Sequence, residues 1–217
     1  MVKLYLVRHA ESMGNVEEFF QGSLDVEISP KGFKQLECLK ERFRNIKLDR
    51  IYTSPLKRAV KTAEYVNFYN QTEIIEIPEL SEINAGGFQG LEWSELLVKY
   101  PKEFHDWKEN QENFQSPNGE SMKDVYIRIS DAMNKIIAEN KDKSIAVVCH
   151  GCAIKTYQCY IMNKPLSYMS ELGWADNSSV SEINFDDNLN PDIVYLNDSS
   201  HLTDELSTLK YSQWCRK

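Results

Sequence analysis

The chain has 217 residues, 41% of them hydrophobic and 27% charged, and a formal net charge of −8. That balance excludes a broad nucleic-acid footprint, which needs clustered Lys and Arg, so any anion must be bound by a local basic pocket. The length suffices for one domain with a core of its own; no apolar run approaches membrane-spanning length, and Met1 leads straight into a strand without room for a signal sequence. A single cytosolic domain over residues 1–217, with no nucleic-acid or membrane partner, is the expectation, and no signature of oligomeric state is present.

In chain order, Val2–Val7 reads as a strand and Pro30–Arg44 as a helix with Phe33, Leu36, Leu39 and Phe43 at helical spacing. Arg50–Tyr52 reads as a short strand, Pro55–Tyr69 as a helix and Glu73–Ile77 as a strand. Helices are expected over Trp93–Tyr100 and Ser121–Asn140, a strand at Ser144–Cys149, a helix from Gly151 towards Met162, and late strands at Val180–Phe185 and Ile193–Leu196. Strands alternating with helices imply an α/β fold, a mainly parallel sheet with helices on both faces. The segment 84–118 is the expected insertion, a small helical cap over the site. It is rich in aromatics (Phe88, Trp93, Tyr100, Phe104, Trp107, Phe114) and broken by Gly86-Gly87, Pro101 and Pro117-Asn118-Gly119. Those aromatics either bury the insertion's own helices or meet a substrate.

Five cysteines, Cys38, Cys149, Cys152, Cys159 and Cys215, form no even framework and suit a reducing compartment. Cys149-His150-Gly151-Cys152 has CxxC spacing, but no second ligand pair stands nearby for zinc and no thioredoxin-like context for redox work. Buried small side chains at a strand end are the better reading, with no metal and no cofactor expected.

One oddity occurs twice. KLYLVRHA and SIAVVCHG are both apolar strands that end in a histidine, His9 and His150, the first with Arg8 beside it. In an open parallel sheet, ligands bind beyond the carboxyl ends of the strands, so both imidazoles fall at that edge. In IYTSPLKRA, Ser54 reads as an N-cap and Pro55 as the first helical residue, which places Lys57 and Arg58 in the first turn. Cations are disfavoured there unless an anion sits in front of the helix, using its free N–H groups as well. A further strand ends ahead of ELSEINAGGFQG, whose Glu79 and Glu82 bring a carboxylate to the same edge.

Two arginines, two histidines and helix-end N–H groups suit a tetrahedral dianion. A neutral imidazole is a competent nucleophile towards phosphorus when its other nitrogen is fixed as N–H, and a carboxylic acid can protonate the leaving alkoxide. No Gly-rich phosphate loop followed by Lys-Ser or Lys-Thr is present, so the chemistry runs without nucleotide or Mg²⁺.

The blocks LVRHAESMGN, YTSPLKRAVKTAE, LSEINAGGFQGLEW and VVCHG resemble those of the histidine phosphatase superfamily, in its phosphoglycerate-mutase-like branch. QGSLDVEISPKG, SPNGESMKDVYIRI and NDSSHL resemble connecting segments of its phosphatase members, so the resemblance spans nearly the whole chain. It implies His9 as the nucleophile that becomes phosphohistidine. Arg8, Arg58 and His150 bind the phosphoryl group, Asn15 and the Gly151 backbone assist, and Glu82, ahead of Glu79, donates the proton. Ser12, Gln21 and Gly22 match residues that line the phosphate pocket. Two positions depart from the family pattern: Ala10 stands where glycine is usual, with a methyl that can crowd the phosphate, and Gln89 stands where a glutamate is usual. The compact interval from Glu82 to His150, with GGFQG and NGES, favours a metal-independent phosphomonoesterase acting on a small phosphorylated metabolite. A cofactor-dependent phosphoglycerate mutase and a non-catalytic phosphate-binding module are the alternatives.

Overall fold

The computed structural model describes residues 1–210, so Cys215 lies outside the described residues. Among the described residues six strands form one sheet in the order β3-β2-β4-β1-β5-β6. They are β1 (Val2–Arg8), β2 (Arg50–Thr53), β3 (Ile74–Glu76), β4 (Ser144–Cys149), β5 (Val180–Phe185) and β6 (Pro191–Asp198). The first four run parallel, while β5 pairs antiparallel with β1 and with β6.

The period-2 alternation of β1 and β4 divides the interior. Leu4, Leu6, Ile145 and Val147 join a core under α6 (Met122–Ala138) and α7 (Gly151–Ile161). Tyr5, Val7, Ala146 and Val148 join another under α2 (Pro30–Arg42) and α3 (Lys57–Val66). Helices therefore cover both faces. At α2, the Ser29 side chain accepts the Gly32 N–H with Pro30 in the first turn; at α6, Ser121 accepts the Asp124 N–H in a capping box.

Three boundaries differ from the sequence reading. The helix expected from Pro55 starts at Lys57 with Leu56 as its N-cap, because the Ser54 hydroxyl is directed at His150. It stops at Asn67, whose side-chain amide bonds both the N–H and the carbonyl of Thr72. In the 84–118 segment, Pro101 begins a helix instead of ending one: α4 (Trp93–Lys99) is followed directly by α5 (Pro101–Glu109). Proline is pre-organised for a first helical position.

Candidate active site

Strand register gathers the charged residues. Arg8 of β1 lies opposite Cys149 of β4, and the His9 N–H donates to the Cys149 carbonyl (3.0 Å). The two residues that follow these strands, His9 and His150, therefore sit side by side with ring centroids 5.0 Å apart. On the other side of β4, the Ser54 N–H donates to the Val148 carbonyl (3.0 Å), which puts Ser54 at the end of β2 in the same row.

A cavity opens at this edge. Arg8, His9, Asn15, Gln21, Gly22, Arg58, Glu82 and Gly151 all line it, so eight of the ten residues singled out from sequence share one chamber. The other two are His150 and Ser12. His150 is fully buried against His9; Ser12 is fully buried behind the lining, its hydroxyl within reach of the amide oxygens of Gln21 (2.7 Å) and Asn15 (3.0 Å). Ser12 thus sets the two amides and does not itself line the cavity.

The nitrogen roles follow from hydrogen-bond bookkeeping. His9 Nδ1 lies 2.7 Å from the Ala10 carbonyl, an obligatory acceptor, so Nδ1 carries the proton and Nε2 keeps its lone pair. His150 Nε2 lies 2.7 Å from Ser54 Oγ, which accepts the Leu56 N–H (3.3 Å). The hydroxyl is then free to give its proton to Nε2, an assignment that places the His150 proton on Nδ1. Burial first, then the Arg58 guanidinium, hold both imidazoles well below the ordinary histidine range, so both are neutral near pH 7.

Arg58 is 1% exposed and fixed by the carbonyls of Leu24 (2.6 Å) and Gly22 (2.8 Å). Burial pushes its pKa down to about 10, which leaves it charged at neutral pH. Arg8 donates to the Ala175 carbonyl. Arg58 Nε and His150 Nδ1 are buried with no hydrogen-bond partner among the described residues. Buried donors of that kind call for an acceptor, and a phosphoryl group supplies acceptors with the matching charge.

Glu82 accepts the Cys152 N–H at the start of α7 (3.0 Å) and the Ile83 N–H (3.0 Å). Glu79 is exposed and does not line the cavity. The turn that presents Glu82 is buttressed by Arg128, which donates to the carbonyls of Glu79 (2.6 Å) and Ser81 (2.9 Å) and binds the Glu120 carboxylate through two nitrogens. Nothing in the spacing marked Arg128 or Glu120 for this task. Trp174, a wall of the cavity, was missed for the same reason.

Four expectations need adjustment. The anion in front of α3 is the protein's own Asp25, which accepts the Lys57 N–H (2.8 Å), and the Lys57 ammonium pairs with Glu27 (2.7 Å). Of the two cations in that turn, only Arg58 faces the cavity. The Ala10 methyl does not crowd the cavity; it packs in the core with Val7 and Ala59. Gln89 is a clamp: its Oε1 accepts the Ser23 N–H (2.9 Å), the Ser23 hydroxyl (2.8 Å) and the Ala85 N–H (3.2 Å), outside the lining. Of the aromatics in 84–118, Trp107 packs on Phe20 (4.7 Å) and Phe114 (5.1 Å), and Trp93 and Trp107 also wall the cavity. Cys149 and Cys152 are buried thiols whose pKa values burial raises, in accord with the strand-end reading. Among the described residues no group of three or more His, Cys, Asp or Glu is placed to hold a metal, and no helix is long and apolar enough to cross a membrane.

This row of strand ends, with paired imidazoles, two arginines and a carboxylate, is the arrangement expected of a histidine phosphatase. The family model described as histidine phosphatase superfamily (branch 1) matches residues 4–199, and the chain belongs to that family and is a phosphatase. It is 34% identical over 202 residues to phosphoserine phosphatase 1 of Hydrogenobacter thermophilus, covering 93% of this chain and 95% of the relative. It is 30% identical to the metal-independent phosphoserine phosphatase of Arabidopsis thaliana, over 97% of this chain and 83% of that one. The solved structure of Bacillus stearothermophilus YhfR superposes with a TM-score of 0.89 at 28% identity, covering 93% of this chain and 99% of the other.

Proposed function

We propose that this phosphatase is a metal-independent phosphomonoesterase that works through a phosphohistidine. The observation that carries the reading is the state of His9: a neutral ring with Nδ1 tied to the Ala10 carbonyl and Nε2 left as the nucleophile, in a cavity shared with two buried guanidinium groups. In the first step the Nε2 lone pair attacks phosphorus, the ester P–O bond breaks, and Glu82 in its acid form gives its proton to the departing alkoxide. Arg8, Arg58 and the His150 Nδ1–H hold the three equatorial oxygens, where charge spreads. In the second step water attacks the phosphohistidine, Glu82 takes its proton, the N–P bond breaks and inorganic phosphate leaves. Asn15, Gln21, Gly22 and Gly151 complete the lining, and Ser12 keeps the two amides in place.

The substrate is a small phosphomonoester, with phosphoserine the first candidate because the two relatives named above carry that activity. Residues 84–118 act as its cap within a single-domain chain, with Trp93 and Trp107 set over the ester's organic portion. The test is to mix the protein with labelled phosphoserine and with p-nitrophenyl phosphate, with and without EDTA, and to quench early. Acid-labile phosphohistidine, phosphate release indifferent to EDTA, and loss of both in a folded His9→Ala variant are expected. Activity abolished by EDTA, or turnover retained in His9→Ala, refutes the mechanism. Isomerisation of 3-phosphoglycerate outpacing phosphate release, after priming with 2,3-bisphosphoglycerate, refutes the hydrolase reading.

A further inference from the structure

A second polar cluster lies outside the cavity lining. Glu11, Ser29, Gln35, Asp176, Asn177 and Thr208 are all buried, and none of them lines the chamber. Asp176 Oδ1 accepts the N–H groups of Asn177 (2.9 Å), Thr208 (2.9 Å) and Leu209 (3.3 Å), while Oδ2 accepts the Ser207 hydroxyl (2.6 Å). Thr208 Oγ1 donates to Glu11 Oε2 (3.1 Å) and accepts from Gln35 Nε2 (3.1 Å). Gln35 in turn accepts the Glu11 N–H (2.8 Å) and donates to the Leu206 carbonyl (2.7 Å).

The loop that Asp176 belongs to also holds the reacting residues. Ala175 accepts from the Arg8 guanidinium; Asn177 Nδ2 donates to the His9 carbonyl (2.9 Å); the Ser178 N–H donates to the Arg8 carbonyl (3.1 Å). Residues 206–209 therefore fasten both the 174–179 loop and the Glu11 end of the nucleophile's own loop. The polar side-chain atoms of Asp176, Glu11, Gln35 and Thr208 all have partners, although Asn177 Oδ1 has none, and buried polar networks whose members are paired are rigid.

We propose that Asp176 and Thr208 are positioning residues: the segment 206–209 is a latch that holds Arg8 and His9 in the geometry of phosphoryl transfer. The latch rests on the phosphohistidine reading only for the reaction it serves. Displacing a reacting group by about 1 Å costs on the order of 10²-fold in rate, so the latch acts on kcat and leaves KM nearly unchanged.

The experiment uses the full chain, with Asp176→Ala, Thr208→Val and Thr208→Ser. It measures kcat and KM for p-nitrophenyl phosphate far below the unfolding temperature, together with the ¹⁵N shifts of the His9 ring in the unliganded protein. Expected are a fall in kcat of about 10–100-fold in Asp176→Ala and a smaller fall in Thr208→Val. KM stays nearly constant, the His9 Nδ1 and Nε2 shifts move towards each other, and Thr208→Ser recovers the wild-type values. Should Asp176→Ala fail to fold, the Val and Ser pair decides. A lowered Tm with unchanged kcat and unchanged His9 shifts overturns the latch while the catalytic reading stands. A wild-type protein without turnover overturns the catalytic reading, and the His9 shifts of Thr208→Val then decide the latch alone.

Discussion

Replacing Ser54 with alanine tests the tautomer assignment on which the second imidazole depends. Ser54 and His150 are both fully buried, so the 2.7 Å contact between Oγ and Nε2 has no water to replace it. Deleting the hydroxyl orphans the buried imidazole acceptor, which costs about 1–3 kcal/mol, and removes the partner of the part-buried Leu56 N–H. His150 can respond by moving its proton to Nε2, which removes the Nδ1–H from the phosphoryl oxygens. Losing an oxyanion donor outright costs on the order of 10²–10³ in rate. Because part of the population keeps the productive tautomer, a loss of about 10–100-fold in kcat is expected, equivalent to about 1.4–2.7 kcal/mol. Single-turnover formation of the phosphoenzyme measures the step directly, and the ¹⁵N shifts of His150 report which nitrogen is protonated. Ser54→Thr, which retains the hydroxyl, should recover the tautomer. A Ser54→Ala protein that forms phosphohistidine at the wild-type rate, with His150 still protonated on Nδ1, would refute the reasoning.

Because burial and the Arg58 charge depress the pKa of His9, kcat/KM should show no His9 limb at pH 6.5. Corrected for the substrate's own second ionisation near about 6, a tenfold fall per unit starting at pH 6.5 would contradict this. The same depression in His9, His150 and His201, the last down to about 4, means that the unfolded chain binds protons first as pH falls. Their contribution to stability is thus complete above about pH 6.5 and is lost as pH drops towards the folded-state values, a trend that urea midpoints at several pH values will register. Gly22→Ala should destabilise by about 1–3 kcal/mol and raise KM. Gly22 has a φ of +50°, a new Cβ would lie 2.9 Å from the Ile83 carbonyl oxygen, and its own carbonyl anchors Arg58; unchanged urea and KM values would refute this. Gln89→Glu, which keeps the acceptor oxygen outside the cavity, should change the activation free energy by less than about 0.5 kcal/mol; a tenfold rate change would mean that the position meets substrate.

Strand-end histidines were legible because β1 and β4 each announce themselves: a β-branched or apolar alternation, then an abrupt polar residue. Parallel pairing does the rest, since Arg8 opposite Cys149 leaves the next residue of each strand adjacent. What stayed hidden depends on contacts across long stretches of chain. Ser54 looked like an N-cap because Ser-Pro-Leu-Lys is sound capping chemistry; only the folded sheet brings His150, 96 positions on, within reach of its hydroxyl. Asp176 and Thr208 carry no local signal at all, and Thr208 meets Glu11 across 197 positions. Pro101 was read as a break because its two roles, ending one helix and beginning the next, look alike until Tyr100 is seen to serve both helices.

The proposed mechanism also accounts for His9 sitting among cations. A free imidazole near pH 7 is partly protonated, and the protonated ring has no lone pair to give. Burial and the neighbouring guanidinium of Arg58 suppress that protonation, with Arg8 acting in the same sense, so the groups proposed to receive the dianion also keep the proposed attacker neutral beforehand. Arg58 can do both because, even lowered to about 10, it stays charged through the neutral range. Lysine starts about two units lower and presents a single ammonium where Arg58 spans two carbonyls with its fork. The same burial would bring it close to losing its charge at working pH, and with it both the anion site and the suppression of His9 protonation. An arginine at the first turn of α3, unfavourable for the helix, is thereby favourable for the site.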